Sequence, residues 1–177
     1  MISVVGGDPR DPGAMALLRQ SHAILVRLYP SEANHHLSVD GLCSPDITFL
    51  TANRGESPIG VGALADRGTY GEVKSVFVSP DARNAGAGAA ILDAIETEAR
   101  ARSLSCLRLE TGAGLDPAIR LYRRAGFSVR GPFGGYRDDP LSIFMRRFHS
   151  EVQQQPAMGE ARAAEVPSPG GVAMFSG

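Results

Sequence analysis

The stretch PDARNAGAGAAIL, residues 80 to 92, gathers the groups best placed to do chemistry. A guanidinium, Arg83, precedes two glycines, Gly86 and Gly88, that only Ala87 separates, and the run after them has helical character. The first-turn amides of a helix have no partner inside it, and the helix dipole adds positive potential at that end. Small residues from Ala85 to Ala89 let a bulky anion approach those amides, and a pyrophosphate suits the space better than a compact sugar. Arg83 adds a charge-assisted fork. A tight turn into a packed helix, with no ligand at all, explains the same glycines. Spacing argues against two other anion-binding patterns. A Walker A loop needs Gly-Lys-Ser/Thr, and Gly88 is followed by Ala89. A dinucleotide fingerprint needs a third glycine where Ile91 stands, early in a parallel β–α–β unit.

The elements that must position this loop follow from periodicity. Residues 2 to 5 form a short apolar strand candidate. Asp11 or Pro12 opens a helix carrying Ala16, Leu17, Ile24, Leu25 and Leu28, and Pro30 stops it. A short helix is expected near Glu32 to Leu37. Three strand-like runs, 47–53, 58–66 and 71–79, are separated by the turn signals RGESP and RGTYG, which predicts an antiparallel meander. Residues 86–102 then change to helical period, with Ile91, Leu92, Ile95 and Ala99 near one face and Asp93, Glu96 and Glu98 outside. SCLRLET, 105–111, alternates as a strand. Pro117 sits in the first turn of a further helix that stops at Gly126, and two late strands flank the loop PFGGYRDDP. The expected fold class is α/β (α+β): one mixed, mostly antiparallel sheet covered by helices on both faces. The domain spans residues 1–149. Residues 150–177 lose all periodicity and read as a flexible tail.

Bulk properties bound the function. With 177 residues, 43% hydrophobic and 21% charged, the chain supports one core. It has no Trp and only 6% aromatic residues, and its net charge is -1, which argues against a nucleic-acid surface. The two cysteines, Cys43 and Cys106, make neither a disulfide scaffold nor a metal set. No metal is expected. Nothing resembles a signal peptide or reaches 18 apolar residues, so no membrane partner is expected and a cytoplasmic location fits.

Arg83 to Ala89, R-N-A-G-A-G-A, resembles the R/Q-x-x-G-x-G/A motif of the GCN5-related N-acetyltransferases. VFVSP precedes it as that family's fourth strand does, and LRLETG follows as the fifth does. AIRLYRRAGF, residues 118–127, is similar to the family's A-x-x-L-Y-x-x-x-G-F block. The ordered blocks cover about 60 to 148. GEVKSV, LETG and PFGGYRDDPLSIFM are closer still to a subgroup of small bacterial acetyltransferases. The resemblance implies the acyl-CoA N-acyltransferase fold, with acetyl-coenzyme A as co-substrate between splayed strands four and five. It places the pyrophosphate on the amides of Asn84, Ala85, Gly86, Ala87, Gly88 and Ala89, with Arg83 beside them. It pairs the pantetheine arm with the main chain of Val76, Phe77 and Val78. An unpaired strand edge suits an arm that carries amides of its own. Asn84 stands where the family often has glycine, and asparagine tolerates a left-handed backbone.

The implied reaction is direct attack of a neutral amine on the thioester. It needs a deprotonated amine, a polarised carbonyl and a proton for the departing thiolate. Tyr122 is the candidate acid: its phenol is a donor, and the family's tyrosine at this place reaches the coenzyme sulfur. Glu72, on the fourth strand where histone-type members keep a glutamate, is the candidate base or substrate-orienting group. A Glu72–Lys74 pair on one sheet face is the plainer alternative. Glu110 and Thr111 close the fifth strand and face either ligand or a structural turn. His35 and His36 read as surface histidines. The loop 132–140, with Tyr136, Arg137, Asp138 and Asp139, is expected to wall the acceptor pocket, its acids favouring a cationic amine. The acceptor is a small-molecule or peptide amine, and a homodimer is compatible with the family. The competing reading is a non-catalytic acyl-CoA binding or sensor module.

Overall fold

A computed structural model of the chain describes residues 1–30 and 36–149. The tail expected over 150–177 lies outside the described residues, as does most of the helix expected near Glu32 to Leu37. His36 and Leu37 are not helical, and a four-residue helix appears later, at Val39–Leu42, where Ser38 Oγ accepts from Gly41 N at 3.0 Å. Serine is a good N-cap because its side chain satisfies an orphan amide.

The element order is β1 (Ile2–Gly6), α1 (Pro12–Leu28), α2 (Val39–Leu42), β2 (Ile47–Arg54), β3 (Ser57–Asp66), β4 (Gly71–Val78), α3 (Ala87–Ala101), β5 (Cys106–Gly112), α4 (Asp116–Arg124), β6 (Ser128–Arg130) and β7 (Ser142–Phe148). A 3₁₀ turn, Pro80–Ala82, leads from β4 towards α3. The sheet runs β1-β2-β3-β4-β5-β7-β6. Strands β2, β3 and β4 form the predicted antiparallel meander, β1 adds antiparallel to β2, and β4–β5, joined by the α3 crossover, is the one parallel pair among the described residues.

Helices cover both sheet faces. Ala14 and Leu17 of α1 and Leu42 of α2 pack with Phe49, Val61, Ala63 and Phe77 on one face. On the other, Ile91, Leu92, Ile95 and Ala99 of α3 join Leu64, Val73, Leu107, Leu109, Tyr122 and Met145. Full burial of one such aliphatic side chain contributes about 1.5–3 kcal/mol. Glu96, expected on the outer face of α3, is instead only 8% exposed. The end of β7 explains the difference, because it brings Arg147 to 2.6 Å and His149 to 3.4 Å of the carboxylate, which Arg100 also holds from the next helical turn.

Strand β4 carries a feature that two-residue alternation cannot show. Its pairing with β3 steps from Val61↔Phe77 to Ala63↔Lys74, and Ser75 there has φ 55°. One extra residue is bulged out, which inverts the alternation beyond it. Val73 packs towards α3 before the bulge, and Val76 and Val78 do so after it, while Phe77 turns towards α1.

Candidate active site

Strands β4 and β5 pair only through Gly71↔Leu107 and Glu72↔Arg108. Two positions further along the same register stand Lys74 and Glu110, and by then the strands have parted. The main chain of Val76 to Val78 therefore has β3 on one side and no strand on the other. The gap opens into a cleft of ≈1250 Å³.

The glycine loop forms one wall. Gly86 is the N-cap of α3 at φ 88°, and Asn84 is also left-handed at φ 61°. A Cβ at Gly86 would meet nothing, so this glycine is required by the backbone angle and not by crowding. Gly88 differs: a Cβ there would come to 2.8 Å of Leu121 Cδ2. Its smallness serves the approach of α4 to α3. The helical ladder begins with Ala90 N donating to Gly86 O at 3.0 Å, leaving the amides of Ala87, Gly88 and Ala89 ahead of it. Val76, Phe77, Val78, Arg83, Asn84, Gly86, Ala87, Gly88 and Ala89 all line the cleft, whereas Ala85 is exposed and does not.

Tyr122 reaches the same cleft from α4. It is 7% exposed, and its ring sits edge-on to Phe127 at 5.9 Å. Among the described residues its hydroxyl has no hydrogen-bond partner. Burial, and after it the charge of Glu110, push its phenol above the ordinary tyrosine pKa. The group therefore stays protonated and remains a donor.

Glu72 is enclosed elsewhere. Its carboxylate, 4% exposed as a residue, accepts from Arg67 Nε at 3.0 Å and from the Tyr136 hydroxyl at 2.6 Å, with Lys74 Nζ at 3.4 Å. Lys74 Nζ also donates to Tyr136 Oη at 2.8 Å. Burial alone would raise the Glu72 pKa, but Lys74, Tyr136 and Arg67 together hold it below the usual range. Glu72 faces a second cavity, of ≈720 Å³, with Tyr70 and the loop residues Gly134 to Asp139. The structure thus brings Tyr122 and the glycine loop together and places Glu72 in a different cavity. Lys74 lines both.

Other cleft residues had no signal in the sequence. Tyr29, at the end of α1, donates its hydroxyl to Ala113 O at 2.8 Å across 84 positions. His22 of α1 meets His36 with ring centroids 4.3 Å apart, so His36, though exposed, stands at the cleft rim. Burial, then His22 and Lys74, lower the His36 pKa. No local pattern marks such residues, because only the fold gathers them. Among the described residues, no group of three or more His, Cys, Asp or Glu could hold a metal.

The profile of the acetyltransferase (GNAT) family matches residues 18–127. This chain belongs to the GNAT family. Like other members it is an acetyltransferase that uses acetyl-CoA, and the left-handed Gly86, the amides ahead of the α3 ladder and the open edge of β4 fit such a ligand. The acetyltransferase is 45% identical over 148 residues to the IAA acetyltransferase of Azospirillum brasilense, covering 82% of this chain and 97% of that one. It is 35% identical over 136 residues to the N-acetyltransferase YsnE of Bacillus subtilis, covering 75% and 90%. Among solved structures, an acyl-CoA N-acyltransferase of Klebsiella pneumoniae superposes with a TM-score of 0.70 at 31% identity, covering 84% and 97%. The PaiA N-acetyltransferase of Thermoplasma acidophilum, solved in complex with coenzyme A, shares the fold at 18% identity and a TM-score of 0.69, covering 84% and 99%.

Proposed function

We propose that this acetyltransferase moves the acetyl group of acetyl-CoA directly to a primary amine, borne by a small molecule or a peptide. The observation that carries this reading is the parting of β4 and β5 after Glu72, which puts an open strand edge, a helix N-terminus and a buried phenol on one cleft. The exposed amides of Val76 to Val78 take the pantetheine arm as an added strand. Arg83 and the amides of Asn84 to Ala89 take the pyrophosphate, with the Ala85 amide acting from outside the cleft lining. Bound there, acetyl-CoA supplies an activated acyl group. Tyr122 gives its proton to the departing sulfur.

Glu72 takes the orienting half of its expected role. A carboxylate already bound to two cations and a phenol is a weak base, and it serves by fixing Lys74 and Tyr136 beside the acceptor. A cytoplasmic location and a homodimer belong to the same proposal, tested by cell fractionation and light scattering. The deciding experiment is free-thiol release from acetyl-CoA over a panel of amines, with the IAA of the Azospirillum relative's name included. Thiol release with an amine, and an acetylated product by mass, supports the reading. Tight acetyl-CoA binding with no transfer to any acceptor favours the sensor module instead.

A further inference from the structure

On the α1 side of the sheet the helices pack over β2, β3 and β4. Over β5 and β7 the cover is the loop 131–141, whose Phe133 is buried edge-on to Tyr70 at 5.7 Å and to Phe144 at 5.9 Å. Three half-buried arginines share this outer part of the face. Arg108 of β5 pairs in register with Arg146 of β7, and Arg130 of β6 pairs with Phe144, the next β7 residue on that face. Like charges directly opposite on neighbouring strands are destabilising. Among the described residues none of the three takes part in an ion pair. The two glutamates of this face are engaged elsewhere, Glu72 with Arg67, Lys74 and Tyr136, and Glu110 with Ser142 Oγ. The guanidiniums lie on rings instead. Arg108 Cζ is 4.0 Å from the Tyr70 centroid, Arg130 Cζ is 5.6 Å from that of Phe133, and Arg146 Cζ is 4.2 Å from that of Phe148. A ring face attracts a cation but brings no countercharge. Arg130 gives its Nε to Gly131 O at 2.9 Å, whereas Arg108 Nε is buried with no hydrogen-bond partner. Burial, and then the charges of Arg108 and Arg146, lower the Arg130 pKa.

We propose that Arg108, Arg130 and Arg146 form a phosphate-binding site apart from the acetyl-transfer cleft, and that its ligand is a small phosphate-bearing anion. Guanidinium forks match the oxygens of carboxylate and phosphate alike. Three forks on adjoining strands offer more donors than one carboxylate accepts, whereas the tetrahedral oxygens of a phosphate dianion are shared among three. Stacking on Tyr70, Phe133 and Phe148 fixes the guanidinium planes, which lowers the ordering cost of binding. The bound dianion offsets the repulsion between Arg108 and Arg146 that nothing else on this face offsets. The site also has a route to the second cavity. Phe133, on whose ring Arg130 lies, packs against Tyr136 at 5.1 Å, and Tyr136 holds both Glu72 and Lys74. A phosphate that steadies Phe133 therefore steadies the loop that walls that cavity.

The test titrates inorganic phosphate, and separately phenyl phosphate, into protein already saturated with coenzyme A, so that the glycine loop is occupied. Ionic strength is held constant with chloride. Calorimetry and melting temperature are read for wild type, Arg146→Gln, Arg146→Lys and a surface-charge control, Arg27→Gln, on the exposed side of α1. Unchanged coenzyme A affinity reports that each variant is folded. We expect saturable binding by wild type and a melting temperature that rises with phosphate concentration. Arg146→Gln should weaken phosphate binding at least ~10-fold, the scale of one lost charge-assisted hydrogen bond. Arg146→Lys, which keeps the charge and loses the fork, should fall between, and Arg27→Gln should match wild type. Tighter binding of phenyl phosphate would mark a phosphomonoester as the ligand and equal binding free phosphate, and either supports the site. Amide exchange over 131–141 should slow with phosphate, and unchanged exchange would overturn the link to the second cavity. The site itself is overturned by an absence of saturable binding, by an equal loss in Arg27→Gln, or by phosphate binding that coenzyme A abolishes.

Discussion

Glu72 and Glu110 stand on neighbouring parallel strands, on the same sheet face, two register positions apart, yet one is enclosed by cations and the other looks into the cleft. Glu72 has Arg67, Lys74 and Tyr136 within bonding distance, whereas Glu110 has a serine hydroxyl. The difference arises where the strands part. Before that point the sheet is closed and the loop 131–141 supplies Tyr136 as a cover. Beyond it, the side chain on β5 has lost its cross-strand neighbour. Residue type and sheet face are shared, so environment alone separates the enclosed carboxylate from the one open to the cleft.

The largest expected effect belongs to the cleft side of this contrast. Tyr122→Phe keeps the ring against Phe127 and removes only the donor. We expect kcat to fall by ~10²–10⁴-fold with acetyl-CoA affinity unchanged by calorimetry. Full activity would take the acid out of the cleft and weaken the contrast itself.

On the enclosed side, Glu72→Gln should act first on stability. Removing the negative charge that Lys74 and Arg67 share should cost about 1–3 kcal/mol, read from chemical denaturation, with Arg67 still paired to Asp46. The acid limb provides a second reading. Because the folded-state pKa of Glu72 is depressed, its contribution is fully present above the unfolded carboxylate value of about 4.3, and is lost as pH falls through the lower folded value. Asp46 and Glu96 are depressed as well and act in the same window, so the variant should flatten the acid limb without abolishing it. In activity, raising pH should not restore the rate of Glu72→Gln if the residue only orients its neighbours. Recovery at high pH would return the base role to Glu72 and blur the comparison.

Gly86→Val should leave both carboxylates untouched and act on acetyl-CoA. A β-branched residue is poorly suited to φ 88°, and its side chain would stand where the pyrophosphate is proposed to lie. Affinity should fall at least ~10-fold, about 1.4 kcal/mol. Unchanged affinity in a folded variant would sink the loop assignment. The smallest effect is expected from truncation after Ser150, where the sequence pattern ends. Melting temperature and acetyl-CoA binding should be nearly unaffected, and a loss of many degrees would move the domain boundary.

Much of the frame was legible in local pattern. The meander, α3, β5 and α4 fall within a residue or two of their predicted spans, because periods of two and near four are properties of contiguous residues. Asn84 adopts the left-handed backbone that its residue type tolerates, while Gly86, expected only to leave room for an anion, is left-handed as well. The packing role of Gly88 has no local signal, since its neighbour Leu121 lies 33 positions away on another helix. The bulge at Ser75 left no mark in VKSVFV, and Glu96 looked like an outer-face residue until β7 brought Arg147 and His149 to it.

The order of elements, the glycine-bearing start of α3 after β4 and the tyrosine in α4 follow from short contiguous runs of residues. Which of the two glutamates is enclosed follows from long-range packing alone. That choice depends on Tyr136, 64 positions from Glu72, and on Ser142, 32 positions from Glu110. It depends as well on a parallel pairing that stops after two residues. A carboxylate's proton affinity and its access to a ligand are set by charges and solvent within a few ångströms. Sequence spacing does not record which distant residues come within that range.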